Sequence, residues 1–451
     1  MNKKVQFEKF FYLTSIITDY FPKSGARFLD VFFGNLLGNK IVSSMIYRNI
    51  NKKLNKNKII KKILFVSDLN IGDAIISSSS VSSIKRILPD SEIDFVVKNS
   101  TECIIKGNPD ISNLYPILNG APYPNENDLA ALSKIINRKD YDLIINFSPL
   151  IPDNLFDKKK LINYSLLASE LLKNEHTRDS VSNICYLANS FIEKILSNYL
   201  TEDTNIKFKG SKIYLSKNAT EEAKNFLLSN KIPLGYPIIM YNPDASARYT
   251  RIPFDIQISL LKKLSTFPAT ILLGAGHVEK AIEYRLLDAL SSDSNQDIVI
   301  IPSSVPLDVY AALIDLSGIF ITGDTGPLHL AAARKYSLET GESLRNKTAV
   351  FSIFGGTPPH VYGYDSIKHD FFAANQDAPS RVFIANTPCR NITCINKMAK
   401  TCKEVKCFHS LNLNEIISGV TDYLNSAKNL KEFDTMHIYK KHNLPLTAKS
   451  V

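Results

Sequence analysis

From Lys62 onward the chain alternates short apolar runs with amphipathic stretches, and this alternation constrains its fold more than any other feature. Ile63-Leu64-Phe65-Val66-Ser67 is a buried-strand run, followed by a polar loop and a helical stretch that Pro89-Asp90 breaks after Leu88. Ile93–Val97 and Asp142–Asn146 repeat the strand signal, and residues 163–200 are expected to be helical. A second series places strands at Pro237–Tyr241, Thr270–Leu273, Ile298–Ile301 and Gly318–Thr322, with Ala349–Ile353 as the last. Its helices are expected over Ile256–Leu264, Glu279–Leu290, Val309–Leu316 and Pro327–Ala333. Strands alternating with helices of this length predict βαβ units. The expected architecture is α/β, with two Rossmann-like doubly wound domains facing across a cleft. Their expected extents are 63–230 and 236–427, preceded by an extension (1–62) and followed by a tail (428–451).

A chain of 451 residues is long for a single core, which agrees with two domains. Its 44% hydrophobic and 22% charged residues exclude whole-chain disorder and a fibrous fold. No apolar run reaches the roughly 18 residues of a transmembrane helix, and the N-terminus lacks the apolar core of a secretory signal. Six cysteines do not make a disulfide scaffold at this length, so a cytoplasmic protein is expected. The net charge of +10 is confined to one place: residues 1–62 carry 13 Lys/Arg against Glu8, Asp19 and Asp30, and the remainder is neutral. A basic arm with apolar clusters (Phe10–Leu13, Phe28–Phe33) suits an anionic membrane surface, and equally a helical arm packed on the body with a solvated lysine face. It contains no nucleic-acid reader motif, so no nucleic-acid partner is expected.

Four loops carry candidate chemistry. Gly323-Asp324-Thr325-Gly326-Pro327-Leu328-His329 follows a buried strand and opens a helix, where free N–H groups and the helix dipole favour phosphate. Phosphate binding is preferred there to a plain turn with an Asp cap and a buried His. Asp73, in Asn70-Ile71-Gly72-Asp73 after the first strand, is on pattern alone better explained as a helix cap than as a general base. Arg248 and Arg251, in the loop from Asn242 to Pro253, suit a diphosphate clamp or a solvated loop. Phe354-Gly355-Gly356-Thr357 is a further glycine loop at the expected cleft. Separately, Cys389, Cys394, Cys402 and Cys407 cluster within nineteen residues. Either a structural metal (zinc or iron) or free or paired thiols would account for them, and the spacing is not a standard zinc pattern. Cys103 and Cys185 are expected to be core residues.

Taken in order over residues 63–425, these elements resemble the family 9 glycosyltransferases, the heptosyltransferases of the lipopolysaccharide inner core. The resemblance is carried by Ile71-Gly72-Asp73, Leu88–Phe95, Tyr141–Asn146, Leu272-Leu273-Gly274-Ala275-Gly276, Phe354-Gly355-Gly356-Thr357 and, most specifically, Asp324-Thr325-Gly326-Pro327-Leu328-His329. It implies a GT-B fold, with the acceptor in the first domain and a nucleotide-diphosphate sugar (ADP-heptose favoured) in the second. It also implies inverting transfer onto a glycolipid or glycan, with no catalytic cofactor; the expected place is the cytoplasm, with the basic arm 1–62 suited to docking on the inner face of the inner membrane. By this resemblance Asp73 takes the general-base position. Thr325 and Gly326 take the diphosphate-contacting positions, Asp324 and His329 shape the turn, and Gly274 and Gly356 belong to donor loops. The chain departs from the family pattern at Thr250-Arg251-Ile252-Pro253, where a Lys is usual and Arg248 or Arg251 would replace it. It departs again at Asn242-Pro243-Asp244, which stands for His-Pro-Gly, and at the insertion Lys335–Lys347. A rival reading is a non-catalytic sugar-nucleotide or glycan-binding protein that retains the fold.

Overall fold

The computed structural model describes residues 54, 59–67, 70–119, 124–148, 151–162, 183–201, 211–245, 249–274, 281–290, 298–336, 348–357, 359–364, 380–385 and 405–431. In chain order its first half contains β1 (Lys62–Ser67), α1 (Ile71–Ile87), β2 (Glu92–Lys98), α2 (Glu102–Ile105), β3 (Asn113–Leu118), α3 (Glu126–Arg138), β4 (Leu143–Asn146), β5 (Leu161–Ile162) and α4 (Ile184–Ile195). After α5 (Lys217–Ser229) come β6 (Ile238–Asn242), α6 (Phe254–Leu264), β7 (Thr270–Leu273), α7 (Ile282–Leu290), β8 (Ile298–Ile300) and α8 (Leu307–Leu316). The series closes with β9 (Ile319–Gly323), α9 (Gly326–Tyr336), β10 (Ala349–Phe354), α10 (Pro359–Tyr362), β11 (Ser380–Ile384) and α11 (Leu413–Lys431).

Two parallel sheets result, ordered β3-β2-β1-β4-β5 and β11-β10-β9-β6-β7-β8. The apolar runs lie at their centres because a parallel strand flanked by helices is covered on both faces. In β1, Ile63, Leu64, Phe65 and Val66 are wholly buried. Phe65 stands in register with Phe95 and Ile145, and its ring stacks on Phe95 at 4.9 Å and Phe147 at 4.8 Å. The serines of α1 are buried rather than solvated. Ser77, Ser78 and Ser79 return their hydroxyls to carbonyls one turn back, while Asn189 of α4 bridges Ser79 and Ser83. These small side chains let α4 lie close on α1.

The structure corrects the sequence reading at the sheet margins. Ala349–Ile353 is not the last strand, since β11 pairs beyond it with Val350↔Ser380 to Phe354↔Ile384 in register. The outer strands β3 and β5 are also additions. Residues 217–229, expected within a turn region at the end of the first domain, instead form helix α5, which packs on α8 of the second half. A single apolar core runs from Ile63 and Phe95 through Phe191, Leu313 and Leu328 to Met240 and Val350, joining the two sheets. Of the expected 163–200 helix, α4 is seen and 163–182 lie outside the described residues, as do the N-terminal 53 residues and those after 431.

Candidate active site

Both sheets place their loops of interest where strand order reverses, the position at which an open α/β sheet leaves a crevice. In the first sheet that point lies between β1 and β4, and the chain leaving β1 enters α1 through Asn70-Ile71-Gly72-Asp73. In the second it lies between β9 and β6, followed respectively by Asp324-Thr325-Gly326 and the loop from Pro243. Helices α1 and α9 therefore start from the two switch points, and they pack on each other. The contact depends on two glycines. A Cβ on Gly72 would stand 2.6 Å from His329 Cδ2 and 3.3 Å from Gly326 Cα, and one on Gly326 would stand 3.0 Å from Ile71 Cβ. Gly326, which the resemblance gives a diphosphate-contacting position, lies in this structure against the first turn of α1.

Two carboxylates, one from each half, meet at this seam. Asp73 is exposed in the first turn of α1, where the helix dipole favours a negative side chain. The capping residue, Asn70, makes no side-chain capping bond and instead accepts from Lys98 Nζ at 3.3 Å. Asp324 retains some exposed surface, yet loss of water around its carboxyl raises its pKa from 3.8 to about 6; the polar Thr357 hydroxyl works against this shift, and the charge of Asp73 adds to it. His329 is buried in the first turn of α9, and burial lowers its pKa from 6.5 to about 4, so it is neutral at physiological pH. Its Nδ1 lies 2.7 Å from the Tyr364 hydroxyl.

The loop after β6 is tied to the same turn. Asn242 Nδ2 donates to Thr322 Oγ1 at 3.0 Å and to Thr325 Oγ1 at 3.3 Å, and the two threonine hydroxyls lie 3.1 Å apart. The Thr325 hydroxyl is thus held from within the protein. Arg251 Nε pairs with the buried Asp244 at 2.8 Å, and its Nη2 donates to the Ala245 carbonyl at 3.0 Å. Arg251, one of the two arginines suited to a diphosphate clamp, braces its own loop in this structure, while Arg248 lies outside the described residues. Gly274 ends β7 beneath Tyr310, whose hydroxyl would stand 2.6 Å from a Cβ there, and Gly356 is buried in the turn after β10.

Of the four clustered cysteines, Cys407 is a buried thiol beside Gly355, and Cys389, Cys394 and Cys402 lie outside the described residues. A pocket of about 430 Å³ opens between α2, residues 214–216 and Asp308 of α8, and none of the sequence-predicted site residues lines it. Sequence reasoning missed Tyr364 as a partner of the signature turn. Asn242 carried a signal, since it occupies the family's histidine position, whereas nothing local links Tyr364 to His329.

Comparison with known proteins places this arrangement. Residues 158–338 match the family described as glycosyltransferase family 9 (heptosyltransferase), a stretch that begins after Asp73 and includes the signature turn. Lipopolysaccharide heptosyltransferase 3 of Escherichia coli is 33% identical over 79 residues, which span 17% of this chain and 23% of that protein. The solved structure of a family 9 glycosyl transferase from Veillonella parvula DSM 2008 superposes with a TM-score of 0.57 at 14% identity, over 82% of this chain and 99% of that one. The fold expected from the sequence, GT-B, is the fold observed.

Proposed function

We infer from the chain's glycosyltransferase family 9 (heptosyltransferase) domain that it transfers heptose, or a related sugar, from a nucleotide-diphosphate donor to a lipopolysaccharide or another bacterial surface glycan. The observation that carries this reading is the meeting of Asp73, from the first switch point, with the Asp324–His329 turn of the second. An inverting displacement needs a base for the acceptor hydroxyl on one side and stabilisation of the leaving diphosphate on the other. Asp73 is exposed and charged, on the acceptor side, and takes the proton as the hydroxyl attacks. The donor lies at the N-terminus of α9, whose N–H groups and dipole offset the charge that grows on the diphosphate. With Arg251 committed to Asp244, the facing cation falls to Arg248. The anionic leaving group is neutralised by protein groups rather than by a metal. Because α1 occupies the space over Gly326, donor entry requires the two halves to part. The basic segment 1–62 serves to hold the protein at an anionic membrane face, where such acceptors reside.

Release of nucleoside diphosphate from a nucleotide-linked heptose, with a glycan acceptor present, tests the reading. Asp73→Asn is expected to lower turnover by roughly 10²–10⁴-fold with donor affinity little changed. Donor binding without transfer by the wild type would favour the non-catalytic binding protein. A requirement for added divalent metal would overturn the metal-free mechanism.

A further inference from the structure

A chain of buried polar groups crosses between the halves behind the signature turn. Ser211 Oγ donates to Cys185 Sγ at 3.0 Å, that sulfur lies 3.3 Å from the Tyr364 hydroxyl, and the hydroxyl lies 2.7 Å from His329 Nδ1. Asn183, beside Cys185, anchors the neighbouring backbone by donating to the Gly363 carbonyl at 2.8 Å. The whole path is enclosed: Ser211, Cys185, Tyr364 and His329 are each at most 5% exposed. The imidazole edge bearing Cδ2 and Nε2 faces Gly72, next to Asp73.

Chemistry orders the protons along this path. Burial pushes the Cys185 thiol up, so the sulfur keeps its proton and can pass it to an oxygen. A neutral imidazole has one N–H and one bare nitrogen, and which nitrogen is bare is set by the partner of the other. A phenol is a far stronger acid than a neutral imidazole, and a bare ring nitrogen is a far better acceptor than thiol sulfur. The phenolic proton therefore goes to Nδ1, and the path runs Ser211 to Cys185 to Tyr364 to His329.

We propose that Tyr364 is a positioning residue that fixes His329 as the Nε2–H tautomer and so presents an N–H donor at the seam between Gly72 and Gly326, where the anionic donor is received. This rests on the transferase reading for its purpose but not for its geometry. The tautomer is set before substrate arrives, and the ring cannot rotate without breaking the 2.7 Å bond.

Two measurements on the full-length protein test the assignment. Histidine side-chain nitrogen–proton NMR, with the His329 signals identified by their loss in His329→Gln, reads the tautomer directly. The wild type is expected to show Nε2–H with a bare Nδ1, and Tyr364→Phe a mixture of the two forms. In the transfer assay Tyr364→Phe should lower kcat/KM by at least the factor by which the Nε2–H population falls, about two-fold for an even mixture of tautomers. A wild-type Nδ1–H form overturns the proposal even if the variant fails to fold. So does an unchanged tautomer, or unchanged transfer, in Tyr364→Phe. Absence of transfer by the wild type together with the Nε2–H form would remove the transferase reading and leave the tautomer assignment standing.

Discussion

Asp324 and His329 share one turn and titrate in opposite senses. The Asp324 carboxyl is raised to about 6 from 3.8, so between those values the folded protein binds more protons than the unfolded chain, and this residue lowers stability as pH rises through that window. His329 is lowered to about 4 from 6.5, so the unfolded chain binds more protons there, and stability rises with pH over that range. In the wild type the two slopes oppose each other. Asp324→Asn is expected to leave the His329 slope unopposed, so its Tm should climb more steeply than the wild type's from pH 4 to 6.5. His329→Gln should do the reverse, and thermal melts at four or five pH values suffice to compare the slopes. Three parallel curves would mean that neither group is shifted. The sequence showed that an Asp, a Thr, a Gly and a His share this turn. It could not show that the histidine is neutral and enclosed, because the groups that enclose it come from other elements.

At the scale of elements, α1 and α9 approach closely only because each has a glycine in its first turn at the contact. Gly72→Ala would place a methyl 2.6 Å from an imidazole carbon. That ring is held by Tyr364, so it has little freedom to yield and the helices must separate. The expected cost is about 1–3 kcal/mol, the range for overpacking, measured as a lower midpoint in urea. Gly326→Ala, at 3.0 Å from Ile71 Cβ, should cost less. The central strands were legible because a strand covered on both faces must be continuously apolar, as Ile63–Val66 and Ile238–Tyr241 are. The margins were not. β3 contains Pro116, β5 has two residues and β11 includes Arg381, patterns that a sheet edge tolerates and a buried strand does not. The pairing of Arg251 with Asp244 was equally hidden, because nothing in the sequence separates an arginine that pairs with an aspartate seven positions earlier in its loop from one that clamps phosphate.

For the molecule as a whole, the charge asymmetry gives a direct test of the membrane proposal. Leu54 and Ile60 are buried in the core, and Asn198 donates to the Leu54 carbonyl at 3.0 Å, so a truncation should stop at residue 50. Residues 51–62 keep six lysines and no acidic residue, so the truncated protein with Lys52, Lys53, Lys56 and Lys58 also changed to Gln is expected to lose binding to acidic vesicles, and salt should weaken the binding of the intact protein by screening. Equal binding by both forms would dismiss the membrane role. Two domains were legible in the sequence, but their fusion was not, since the apolar core that joins both sheets is built from residues with no local signal of contact. Calorimetry should therefore record one unfolding transition rather than two, with calorimetric and van't Hoff enthalpies in agreement. The seam has a further consequence during synthesis. The first half emerges from the ribosome complete well before Gly326 and His329 have been made, and α1 then presents Gly72 to a partner that does not yet exist. At about 5–20 residues per second, the 131 residues from Ile195 at the end of α4 to Gly326 take on the order of ten seconds. For that interval the nascent chain carries a finished sheet with an unfinished face, a state that chaperones are suited to guard.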